Sequence, residues 1–125
     1  MLMKNFTYNS AAKEYRTQQN GLEVCLDKEM MNQETADYTV EILKAYPNRL
    51  NTICDVLLAD EGFNEFFPHA SKDRMPQKLH EPSIRILDKN AGIISYCNHE
   101  YDGTHIIDIE FSGILASFDT VSIDG

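Results

Sequence analysis

Apolar and polar residues alternate most clearly in the last third of the chain. Four runs there, 83–87, 93–99, 104–111 and 114–123, carry the two-residue period of half-buried strands. Asp102-Gly103 is a strong hairpin signal between the middle pair, and Ser112-Gly113 is a weaker one before the last run. Placing two-residue loops at these pairs sets Tyr96 opposite Ile109, Ile94 opposite Phe111 and Ile107 opposite Phe118. A five-residue loop at 88–92 sets Ile86 opposite Ile94 and Ile84 opposite Tyr96. All three turns then collect Ile84, Ile86, Ile94, Tyr96, Ile107, Ile109, Phe111, Ile114 and Phe118 on one face of a four-stranded meander. The opposite face receives Arg85, Ile93, Ser95, Cys97, His99, Ile106, Asp108, Glu110, Ser117 and Asp119.

The middle of the chain follows a helical period. Asn32 is suited to cap a helix that carries Ala36, Val40 and Leu43 on one stripe. Pro47 disfavours helical geometry at Tyr46, so the helix is expected to end there and a second to open at Pro47. The second shows Leu50, Ile53, Cys54 and Leu57 on one side and should end near Asp60, with Gly62 supplying the turn. Phe63, Phe66 and Phe67 predict a short aromatic helix. Residues 68–82, with Pro68, Pro76 and Pro82, read as a loop. Upstream, Asn20-Gly21 marks a turn before the alternating strand 22–26, and Phe6, Tyr8 and Tyr15 fit a short strand or arm. The expected fold is therefore α+β, a single domain over 1–125: a two-layer sandwich with a helical block on the apolar face of the antiparallel meander.

Charge changes what the polar face means. The 125 residues carry 20 acids against 11 Lys and Arg, a formal net charge of −9. The imbalance lies in 32–67 and 83–125, seven acids to two bases in each, which are the segments with the strongest patterning. Such a balance repels nucleic acid, whose binding rests on phosphate contacts, and favours a cationic protein partner. No run approaches the ~18 apolar residues of a membrane helix, and residues 1–6 show no secretory leader. Three cysteines, Cys25, Cys54 and Cys97, make no disulfide framework and fit the reduced thiols of a cytoplasmic protein.

The segment 97–108 gathers Cys97, His99, His105 and several carboxylates, the residue types of a metal site. Alternation separates them between faces and no second ligand pair follows, so no metal or cofactor is expected. Cys97 and His99 point the same way, yet Asp108 and Glu110 oppose formation of a thiolate, and no catalytic pair is assigned. Cys25 and Cys54 fall on apolar stripes as small core residues.

In size, acidity, a helical block over 32–67 and a terminal meander over 83–123, the chain resembles small acidic bacterial immunity proteins of contact-dependent inhibition and related polymorphic toxin systems. It also resembles bacterial domains of unassigned function with a similar ending strand pair. The first resemblance implies a non-enzymatic protein that neutralises a basic toxin domain, a nuclease among the options, by blocking its active or substrate-binding surface. The residues themselves place the partner contacts at Asp108, Glu110 and Asp119, with His99 and Tyr101 at the hairpin tip. Asp55, Asp60, Glu61 and Glu65 form an alternative patch. Two other expectations compete: a small ligand-binding or hydrolytic domain with 68–82 as a lid and His69 or His80 as acid–base groups, and a regulatory subunit that homodimerises through an edge strand.

Overall fold

The computed structural model describes residues 6–125, so the reading of the extreme N-terminus lies outside the described residues apart from Phe6. The chain is α+β. Its strands are β1 (Thr7–Asn9), β2 (Glu14–Gln19), β3 (Leu22–Asp27), β4 (Ser83–Asp88), β5 (Ala91–Tyr96), β6 (Ile106–Ser112) and β7 (Ser117–Asp124). They form one seven-stranded sheet in chain order. The expected four-stranded meander is thus the second half of a larger sheet. The N-terminal strands join it through a parallel pairing of β3 with β4, Val24 opposite Ile84. The helices α1 (Gln33–Ala59), α2 (Glu61–Phe66) and α3 (Met75–Lys78) all lie in the connection between those two strands.

Asn32 caps α1 as expected: its side chain accepts from the Thr35 amide, and the Thr35 hydroxyl accepts from the Asn32 amide, which satisfies two exposed helix-end donors. The helix does not stop at Tyr46. It runs for 27 residues with Pro47 inside it. A proline in a helix interior costs about 3 kcal/mol. Beyond it, however, α1 fully buries Ile53, Cys54 and Leu57, at about 1.5–3 kcal/mol for each large apolar side chain, so continuing the helix is favoured. Pro47 itself sits on the exposed side. Asp60 then ends α1 and caps α2, its carboxylate accepting from the Phe63 amide at 2.8 Å. Gly62 accordingly lies within α2 and makes no C-terminal turn. The segment 68–82 is likewise not a plain loop, because α3 anchors it through Met75 and Leu79, both buried.

In the meander the expected apolar face survives although the pairings differ. Between β4 and β5 only Lys89 and Asn90 intervene, and a β-bulge between Ile86 and Asp88 then shifts the register by one, so that Ile84 rather than Ile86 lies opposite Ile94. Between β5 and β6 the connection is residues 97–105, not the pair Asp102-Gly103, and Tyr96 lies opposite Ile107. Both displacements are by two residues, an even number, which leaves the residues within β4, β5 and β6 on their predicted sides. The β6–β7 turn is different. It spans 113–116 with Leu115 at φ 53, and a β-bulge follows in which Phe111 pairs with Phe118 but Glu110 with Thr120. Leu115 consequently enters the core while Ile114 is left outside. Val121 and Ile123, not Ala116 and Phe118, face Ile109 and Ile107.

The core lies between this face and the helices. Ile42, Ile53, Leu57 and Phe63 meet Val24, Leu26, Ile84, Ile94 and Ile109, all fully buried. Polar ties fix the helix on the sheet. The Tyr38 hydroxyl donates to the Gly113 carbonyl, Arg49 Nε donates to the Leu115 carbonyl at 2.9 Å, and the Tyr46 and Tyr96 hydroxyls share a hydrogen bond. Arg49 also sits over the Phe118 ring. No helix among the described residues is long and apolar enough to cross a membrane.

Candidate functional site

Alternation along each strand sends a second set of side chains to the face away from the helices. Through the pairings these are Glu14 and Arg16 of β2, Glu23, Cys25 and Asp27 of β3, Arg85 of β4, Ile93 and Ser95 of β5, Ile106, Asp108 and Glu110 of β6, and Thr120, Ser122 and Asp124 of β7. Glu14 and Cys25 are buried; the rest are half-buried or exposed. The face holds six carboxylates and two guanidiniums.

Both guanidiniums are engaged by acids of the same face. Glu14 takes Arg16 through one carboxylate oxygen and Arg85 through the other, at 2.5 and 2.7 Å, and Arg85 reaches Asp27 at 2.9 Å. The two arginines hold the Glu14 carboxyl below its ordinary value, Arg85 foremost. Burial pushes the neighbouring Cys25 thiol up, away from a reactive thiolate. Four carboxylates, Glu23, Asp108, Glu110 and Asp124, have no basic partner among the described residues. Ser95 Oγ donates to Asp108 at 2.5 Å. Partial burial nevertheless lifts the Asp108 carboxyl above its ordinary value, and the adjacent Asp124 adds to the rise. Ile93 and Ile106 stand among these acids, Ile93 directly opposite Glu110.

The expected contact residues are therefore only partly together. Asp108 and Glu110 occupy this face. Asp119 is exposed but is the extra residue of the β7 bulge, outside regular pairing. His99 leaves the face altogether, because the 97–105 connection is longer than a hairpin turn and folds back over α2. His99 is 4 % exposed, with Nδ1 accepting from the Tyr101 amide and Nε2 donating to the His105 carbonyl at 2.7 Å, the pattern of a neutral ring. It packs with Phe67 and Tyr101. The Tyr101 hydroxyl is enclosed without a partner among the described residues, and burial raises its pKa. Cys97 is exposed within the connection and shares no face with His99. Asp102 organises the same connection: its carboxylate accepts from the His105 amide and ring and from the Thr104 amide, which lowers its pKa to about 2.

In the alternative patch two of four acids are already committed. Asp55 pairs with Lys72 at 2.7 Å, and Asp60 is the cap of α2; Glu61 and Glu65 are exposed. Of the acid–base candidates, His69 lines a cavity of about 330 Å³ with Phe66, Phe67, Lys78, Glu100 and Tyr101, and His80 lies 3.0 Å from that same Glu100. Among the described residues no three His, Cys, Asp or Glu side chains are grouped to hold a metal ion. The chain matches no protein-family model, no curated protein and no solved structure.

Glu23 and Asp124 belong to the acidic face but were not expected there. Glu23 required the pairing of β3 with β4, a contact between residues some 60 positions apart in sequence. Asp124 required the bulge, which reverses parity along β7. The Glu14–Arg16 pair carried a local signal, the i, i+2 spacing of the two residues on a strand, whereas Arg85 is 71 positions from Glu14 and carried none.

Proposed function

We propose that this protein is a binding inhibitor of the immunity type, which presents the open sheet face to a basic toxin domain and blocks the surface with which that domain holds its substrate. One observation carries the proposal: Arg16 and Arg85 are consumed by Glu14 and Asp27, while Glu23, Asp108, Glu110 and Asp124 have no basic partner among the described residues and stand on the same face as Ile93 and Ile106. Like charges on adjacent strands repel one another, and a cationic partner relieves that cost. Apolar residues among charges give the mixed surface of a protein interface. Steering by the acidic field can raise association to ~10⁸ M⁻¹s⁻¹ at low salt, with the two isoleucines slowing release.

Contact with Asp108, Glu110 and Asp119 agrees with this mode, Asp119 from the rim. His99 takes no direct part, being enclosed. The patch at Glu61 and Glu65 is the weaker docking surface, since Asp55 and Asp60 already have partners. A cytoplasmic location follows from inhibition of a toxin that acts inside the cell. The test is co-expression with basic toxin domains, beginning with any encoded beside the gene for this protein. Cells should survive induction of the toxin only when this protein is present; equal killing with and without it rules the proposal out.

A further inference from the structure

β7 is the last strand of the sheet and runs for eight residues, whereas the strand at the other edge, β1, has three. None of the eight is buried, although β6 beside it alternates between buried and open positions. The helix α2 approaches β7. Even so, among the described residues no backbone or side-chain hydrogen bond from outside the sheet reaches Ser117–Asp124. Natural edges are guarded by charged side chains, lysine above all, by proline, by bulges or by a covering element. This one has no lysine or proline; its guards are the bulge at Asp119 and the negative charge of Asp119 and Asp124, which deter another acidic strand and not a basic one. On the helix side Phe118, Val121 and Ile123 are only partly covered by the core they pack against. On the open side Thr120, Ser122 and Asp124 continue the acidic face.

We propose that the outer edge of β7 takes up an extended basic segment of the partner as an additional strand, with apolar residues completing the layer over Phe118, Val121 and Ile123 and Lys or Arg side chains on the acidic side. This inference rests on the functional reading above and names its docking mode. Charge complementarity selects the occupant. An added strand lies ~4.8 Å from β7 and ~10 Å from β6. Its basic side chains therefore come beside Asp124 and within about one Debye length of Asp108 and Glu110. A second copy of this chain would instead bring Asp119 and Asp124 of both copies to the same seam, with −5 of formal charge behind each from residues 83–125. Main-chain hydrogen bonds supply the affinity of such an addition, and alternate side chains supply its selectivity.

The experiment is amide hydrogen exchange of the intact protein with two synthetic peptides of equal charge, one alternating lysine with valine over eight residues, the other interrupted by a central proline. At saturation the first should slow exchange across 117–124 by about tenfold or more, and the second should not. Equal protection by both peptides, protection located elsewhere, or no protection at all overturns the inference. So does protection of 117–124 that grows with protein concentration in the absence of peptide, which would identify a second copy as the occupant. The two proposals fail separately. A co-expressed toxin that is neutralised without protecting β7 removes only the edge docking, whereas cells that die regardless remove the functional reading.

Discussion

Replacing Tyr46 by Phe takes from the Tyr96 hydroxyl the hydrogen bond that joins α1 to β5, where no solvent can substitute. Tyr96 is 0 % exposed and Tyr46 8 %. A buried hydroxyl left without a partner costs about 1–3 kcal/mol. Tyr96→Phe strands the Tyr46 hydroxyl in the same way, towards the lower end because Tyr46 is slightly less enclosed. The double variant removes both polar groups and keeps both rings, so its cost should fall to about 0–1 kcal/mol. The coupling between the sites is then about 1–4 kcal/mol in favour of the pair. Urea unfolding of the four proteins at pH 7, with an unchanged slope, measures it directly. Additive single effects, with coupling below about 0.3 kcal/mol, would refute the account of how helix and sheet are locked.

The same pair has an alkaline signature. Burial pushes Tyr46 up to about 12 and Tyr96 well above its ordinary value, against 10.0 for a free tyrosine. Above pH 10 the unfolded chain has released protons that the folded chain retains. Stability is therefore full below pH 10 and declines as pH rises towards 12 and beyond. The double Phe variant should show a shallower decline over that window.

Two further outcomes follow from the sheet and its long connection. A Cβ on Gly92 would lie 2.7 Å from both the Arg85 carbonyl and the Phe111 ring, so Gly92→Ala should destabilise by about 1–3 kcal/mol in urea unfolding, whereas Gly103→Ala, with open space around it, should be close to neutral. Asp102 has its pKa lowered from 3.8 to about 2 by the His105 and Thr104 contacts. Its stabilisation is present above pH 4 and lost as pH falls towards 2; Asp102→Asn should remove that part of the acid dependence, and identical acid limbs for variant and parent would contradict it.

The balance between what could be read in advance and what could not has a physical basis. Local patterning determines which side of a strand is apolar, and this is why Ile84, Ile86, Ile94, Tyr96, Ile107, Ile109 and Phe111 are all buried as expected. A bulge in β4 and a longer connection after β5 shifted two pairings by two residues without changing the face of any residue within β4, β5 or β6. Where an odd displacement intervened, at the β7 bulge, the reading failed: Ile114 was expected inside and Asp124 was not expected on the acidic side. Pro47 was misread because a local preference was outweighed by burial on both sides of it. The N-terminal strands were faint because β1 and β2 are polar, with β1 at the edge and β2 half-covered, and the β3–β4 pairing has no local signal at all. His99 went astray with the turn. Asp-Gly suits a two-residue hairpin, but Asp102 instead holds a wider connection by accepting three hydrogen bonds.

The decisive measurement is survival of cells carrying the toxin domain together with the Asp108→Asn, Glu110→Gln, Asp124→Asn triple variant, whose folding is checked beforehand by its urea midpoint. Carboxylates without local counterions are held here to be the working parts of the molecule. The triple variant should then fold normally and fail to rescue, while a Glu61→Gln, Glu65→Gln control rescues like the parent. Full rescue by the triple variant would show that the charge on this sheet is not what engages the target.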